Sequence, residues 1–93
     1  MDAEPISTKK QLLDSLAAAL SFPDYFGGNW DALDECLRDM EWLPASGYLL
    51  IVRNAEALWR REPRATAGLI QSWIFSAEEW SRESVPFHMI FVW

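Results

Sequence analysis

The sequence predicts an α/β fold in which a small parallel sheet, of two or three strands, packs against about four helices. Three observations carry that prediction. Leu12, Leu13, Leu16 and Leu20 recur at three- and four-residue spacing, the period of one helix face. Tyr48–Val52 and Phe87–Trp93 are short apolar runs, rich in β-branched and aromatic residues and preceded by turn signals, as strands are. Helical segments separate the two runs, and strands joined through helices pair in parallel.

Each element follows from local chemistry. Residues 1–6 carry Pro5, which argues against a long strand, so a first strand is absent or vestigial. Ser7 or Thr8 can cap a helix over about Lys9 to Ser21, with Ala17, Ala18 and Ala19 favouring helix. Phe22-Pro23-Asp24-Tyr25-Phe26-Gly27-Gly28 breaks the chain. Asn29 is a good cap for a second helix, about Trp30 to Met40. There Trp30, Leu33, Cys36, Leu37 and Met40 share one side, and Asp31, Asp34, Glu35 and Arg38 the other. After Pro44 and Gly47, Tyr48–Val52 reads as a strand buried on both faces. Asn54 can cap a short helix through Arg61, ended by Pro63. A fourth helix runs from about Arg64 to Glu83, with Leu69, Ile70, Trp73, Ala77 and Trp80 inward and Phe75 among Gln71, Ser72, Glu78, Glu79 and Arg82 outward. Val85-Pro86 ends it, and Phe87–Trp93 is a second buried strand holding His88.

Composition bounds the function. Ninety-three residues suit one domain spanning 1–93. With 51% hydrophobic residues, six Trp and five Phe, disorder is excluded as the default. Fourteen acidic residues against eight basic ones give a net charge of -6. That disfavours nucleic acid, which needs a positive surface, and favours a basic protein partner. A single cysteine, Cys36, permits no internal disulfide. No secretion signal opens the chain and no apolar run reaches membrane length, so the expected address is the cytoplasm, away from any membrane.

Several motifs bear on chemistry. Asp31 and Glu35 stand at i and i+4, a like-charge spacing that slightly destabilises a helix. Two readings of that face are open: ordinary N-terminal carboxylates favoured by the helix dipole, or a cluster presented to a cationic site. The glycine-rich loop lacks the P-loop lysine and spacing and precedes carboxylates, so nucleotide binding is rejected. His88 has no nucleophile beside it and reads as a satisfied structural histidine; Cys36 reads as a core residue. Phe75 is either a stray exposed ring or an aromatic anchor. No cofactor is implied. The acidic residues could hold Mg²⁺, but nothing else suggests a metal enzyme.

The stretch from Phe22 to Leu37, with Pro23-Asp24-Tyr25-Phe26-Gly27-Gly28-Asn29 followed by Trp30-Asp31-Ala32-Leu33, resembles the signature segment of the barstar family. The likeness runs without gaps from about Ile6 to Pro44 and more loosely through Tyr48–Val52 and Val85–His88. It implies a barstar-like two-layer fold and a ribonuclease inhibitor that performs no chemistry itself. It also implies that the second helix and its preceding loop enter the enzyme cleft. Carried over by position, Tyr25 matches the family's loop tyrosine, Asn29 its helix-start asparagine and Asp31 its first aspartate, while Glu35 takes the place of the central one. Asp34 stands where the family commonly has tryptophan, and the fourth-helix glutamate position falls near Phe75 or Ser76. These departures point away from barnase itself and toward another cognate ribonuclease, or a nuclease toxin domain, bound 1:1. The residues expected to meet it are Tyr25, Gly27, Gly28, Asn29, Asp31, Asp34, Glu35, Arg38 and Phe75. Alternatives are a non-nuclease interaction module on the same scaffold and a metal-dependent enzyme.

Overall fold

Leucines on one stripe of each helix, and alternate residues of two strands, converge on a single core in the computed structural model, which describes residues 1–93. The order is α1 (Lys9–Ala19), α2 (Trp30–Asp39), β1 (Tyr48–Arg53), α3 (Ala55–Arg61), α4 (Pro63–Ser81) and β2 (Phe87–Val92). The strands pair in parallel, with Tyr48 opposite Phe87 and Arg53 opposite Val92. The predicted α/β class, with its four helices and small parallel sheet, is the one observed.

Helix ends follow capping chemistry. Thr8 is the cap of α1, its side-chain oxygen accepting from the Gln11 amide at 3.1 Å. Pro63 starts α4 rather than merely ending α3, since its missing N–H is an orphan in a first turn anyway. Asn54 departs from its expected role. It precedes α3 in the left-handed region (φ 57°) and makes no cap bond. Its amide instead donates to Asp2 Oδ1 at 2.8 Å.

The N-terminus resolves the open question of a first strand. A single parallel bridge joins Asp2 to Arg53. The Met1 amine donates to the Ile51 carbonyl, the Arg53 amide to Met1 and the Ala3 amide to Arg53. The sheet is two-stranded, with residues 1–3 as a vestigial third strand that ends before Pro5, which has no amide hydrogen.

One expectation is overturned. β1 and β2 are not buried on both faces. Leu50 and Val52 are buried, whereas Leu49 and Ile51 are 56% and 43% exposed. In β2, Phe87 points inward while His88, Ile90 and Val92 are exposed. His88 is therefore not a buried structural histidine. The cause is layering. Inward residues of both strands join Leu12, Leu16, Leu33, Leu37 and Leu69 in one cluster, and no element covers the opposite face. An uninterrupted apolar run suits double burial but does not require it.

The inner stripe of α4 is also rotated from the predicted one. Ser72, expected among the outward residues, is buried, and Ser76 is fully buried, while Ile70, Ala77 and Trp80 are only half-buried. Small residues at 68, 72 and 76 recur every four positions and let α2 approach closely. A Cβ at Gly68 would stand 2.8 Å from the Trp30 ring. Further along, Trp80 Nε1 donates to the Leu37 carbonyl at 2.8 Å, and Phe87 stacks on Trp73 at 4.3 Å. These contacts fix the position of α2 relative to the rest of the fold.

Candidate functional site

The site is built on α2 because that helix has two chemically opposite sides. Leu33, Cys36, Leu37 and Met40 are buried, and each fully buried leucine contributes about 2–3 kcal/mol. The other side is left to water. Asp31 and Glu35 are exposed, and neither joins any of the ion pairs of the chain, which are Lys10–Asp14, Arg61–Glu4 and Arg82–Glu79. Their charges are thus uncompensated from within, although Asp31 in the first turn has the helix dipole in its favour.

The loop sets the start of the helix. Pro23 accepts from the Phe26 amide at 3.0 Å, forming a turn. Gly28 takes φ 70°, a left-handed angle that a side chain would resist. Asn29 then caps α2, accepting from the Ala32 amide at 2.8 Å. Gly27, Gly28 and Asn29 are exposed, so the loop lies beside the two free carboxylates.

Tyr25 is 69% exposed, set edge-on to Trp42 with ring centroids 6.5 Å apart. Partial desolvation, with the nearby Asp39 charge, raises its hydroxyl pKa above the ordinary phenol value. The hydroxyl therefore stays protonated at neutral pH and can donate. Phe22, Phe26 and Trp42 form the edge-to-face cluster beneath, and Trp42 Nε1 donates to Leu20 at 3.1 Å. Cys36 is buried as expected; desolvation, then the Asp39 and Glu35 charges, push its thiol up, which makes it a poor nucleophile.

Asp34 and Phe75 belong to a second part of the surface. Asp34 is half-buried and its Oδ1 has no hydrogen-bond partner. It lines an open groove of about 600 Å³ between α2 and α4, together with Trp30, Gln71, Ile74, Phe75 and Glu78. Arg38 does not neutralise it by a side-chain ion pair. Its Nε donates to the Asp34 backbone carbonyl at 3.1 Å, and its guanidinium lies 5.4 Å from the Phe75 ring centroid. Phe75 is 48% exposed. All nine predicted site residues thus lie on the loop, on α2 or on the adjoining side of α4, with Asp34 recessed in the groove rather than standing beside Asp31 and Glu35. No three carboxylates, histidines or cysteines converge to hold a metal ion.

Sequence reasoning missed Trp42, Gly68 and Ile74. Trp42 followed the second helix without a periodic signal. Gly68 belongs to no motif or periodic stripe, and only the Trp30 ring above it gives its absent side chain a purpose.

The family described as Barstar (barnase inhibitor) matches residues 1–92 of the chain. No curated protein matches it. No helix is long and apolar enough to cross a membrane.

Proposed function

The chain belongs to the Barstar family, and from that premise we propose that it inhibits a cognate ribonuclease by seating α2 and its preceding loop in the enzyme's active site, one to one. The observation that supports this most is the pair of exposed carboxylates, Asp31 and Glu35, with no cation of the chain's own to pair with.

A ribonuclease gathers Arg, Lys and His around the scissile phosphate. Carboxylates on a rigid helix stand in for phosphate oxygens and accept charge-assisted hydrogen bonds from those groups. Glu35, one methylene longer than aspartate, reaches deeper. Tyr25 and the Gly27–Asn29 loop close over the rim and exclude water, which strengthens the ionic contacts. Asp34 and Phe75 extend the footprint toward α4. The net charge of -6 draws in a basic enzyme and speeds encounter. The chain supplies no group that reacts; it occupies the site, without cofactor or metal. The setting is the cytoplasm, where the inhibitor guards against the cell's own nuclease or gives immunity to an imported nuclease toxin domain.

The test is a pull-down with the purified protein, followed by an RNA-degradation assay on the captured partner. The expected result is a basic ribonuclease whose activity falls stoichiometrically to zero and is restored when Asp31→Ala/Glu35→Ala replaces the wild type. Capture of a partner with no nuclease activity would instead favour an interaction module, and unchanged inhibition by the double variant would move the interface elsewhere.

A further inference from the structure

We propose that the free edge of β2 is a self-association surface, on which a second copy of this chain adds its own β2 antiparallel, about a two-fold axis at Ile90.

The two edges of the sheet are treated differently. The outer edge of β1 is occupied by residues 1–3, through bonds to Ile51 and Arg53. β2 pairs with β1 alone. The Tyr48 amide donates to the Pro86 carbonyl, so the backbone groups of Pro86, His88, Ile90 and Val92 face β1 in this register. Those of Phe87, Met89 and Phe91 point the other way, into the open edge, and none of them makes a backbone bond outside the strand ladder. A row of unpaired donors and acceptors is a template for another strand.

Nothing blunts this edge. Phe87–Trp93 holds no Lys, Arg, Asp, Glu, Pro or Gly. An apolar groove of about 370 Å³, lined only by Ile70, Trp73, Ile74, Met89 and Phe91, runs beside it. Ile74 and Trp93 are 54% and 64% exposed, and on the other face Ile90 and Val92 are 48% and 50% exposed.

A second copy fits this edge by symmetry. Ile90 lies near the middle of β2. A two-fold there sets Phe87 opposite Trp93 and Met89 opposite Phe91 of the second copy. Residues directly opposite share a face, so inward residues meet inward ones and the two apolar grooves adjoin. The outward-pointing backbone groups fall in the hydrogen-bonded pairs, and Ile90 meets its own counterpart in the closer, non-hydrogen-bonded pair. The strip carries no acidic side chain, so two acidic chains meet where their Asp and Glu residues are absent. Pairing of one short strand with its flanking side chains makes a small interface, at the lower limit for a specific one, so the dimer is weak and reversible. α4 lies between β2 and α2, so the carboxylate face stays free.

Sedimentation equilibrium and amide exchange on the wild-type protein test this without a partner. Between about 10 µM and 1 mM the average mass should rise toward twice the monomer's. The amides of Met89 and Phe91 should gain protection over the same range, while those of Ile90 and Val92 stay protected throughout. Under oxidation Ile90→Cys should cross-link to its counterpart, and Leu49→Cys, on the same face but on β1, should not. Ile90→Lys should weaken association at least tenfold while leaving the circular dichroism unchanged; Ile90→Thr serves if the lysine variant misfolds. A monomer at every concentration, with Met89 and Phe91 exchanging as exposed amides, overturns the proposal, as does equal cross-linking of the two cysteine variants. None of these outcomes bears on ribonuclease inhibition.

Discussion

The outward face of α2 and the free edge of β2 are both left uncovered, but by opposite chemistry. On α2 the uncompensated groups are charges, Asp31 and Glu35, held on a helix whose back is anchored by fully buried Leu33 and Leu37. On β2 they are backbone amides and carbonyls flanked by apolar side chains. Charge acts over about a Debye length and stays hydrated until a partner arrives, so it selects and steers. Backbone and apolar groups act only on contact, so they select by shape. Exposed polar surface does not indicate use by itself.

The contrast can be broken at its mount. Leu37→Ala, on the buried side of α2, should cost about 2–5 kcal/mol of stability, seen as a lower denaturation midpoint. On the opposite side, Asp31→Ala or Glu35→Ala should leave that midpoint nearly unchanged yet weaken binding to the captured ribonuclease by about 2 kcal/mol or more, measured by titration calorimetry. If either truncation left the affinity within about 1 kcal/mol of wild type, that carboxylate would not be at the centre of the interface. Association of the wild type should slow markedly between low and high salt, while the β2 contact, which carries no ion pair, should not weaken. A stopped-flow salt series set against sedimentation at the same salts distinguishes the two.

Smaller changes sharpen the picture. Gly68→Ala puts a methyl against the Trp30 ring and should cost about 1–3 kcal/mol, a loss that Trp30→Leu should partly relieve. The smallest effect is at the covered edge. Hydrogen bonds from Asn54 and the Glu4 amide hold the Asp2 carboxyl below the ordinary carboxylate range. Its folded pKa is depressed, so its contribution is complete above the unfolded value and is lost as pH falls through the folded one. The Ala3 amide, bonded to Arg53, should therefore lose protection only in acid, and Asp2→Asn should abolish that dependence.

Much of the site was legible because it is local. Asn29 as cap, the break over Pro23 to Gly28 and the two-sidedness of α2 follow from residues within a few positions of one another. The same holds for the helix and strand order, which periodicity and turn residues specify. His88 and Ser72 were misplaced for the converse reason: their burial depends on what lies across from them, which no neighbouring residue encodes. Asp34 illustrates both cases. Its place on the polar side of α2 follows from spacing, but its recess in a groove follows from the approach of α4 over Gly68.

Sequence alone determined the α/β class, the order of elements, the acidic helix with its capped loop and the family likeness, because each rests on short-range propensity or a contiguous motif. Tertiary structure alone decided which sheet face stays bare, which edge the first three residues cover, and that Asp31 and Glu35 have no cation from their own chain. These are relations between segments far apart in the chain, set by how closely the layers pack, and packing has no signature at any single position.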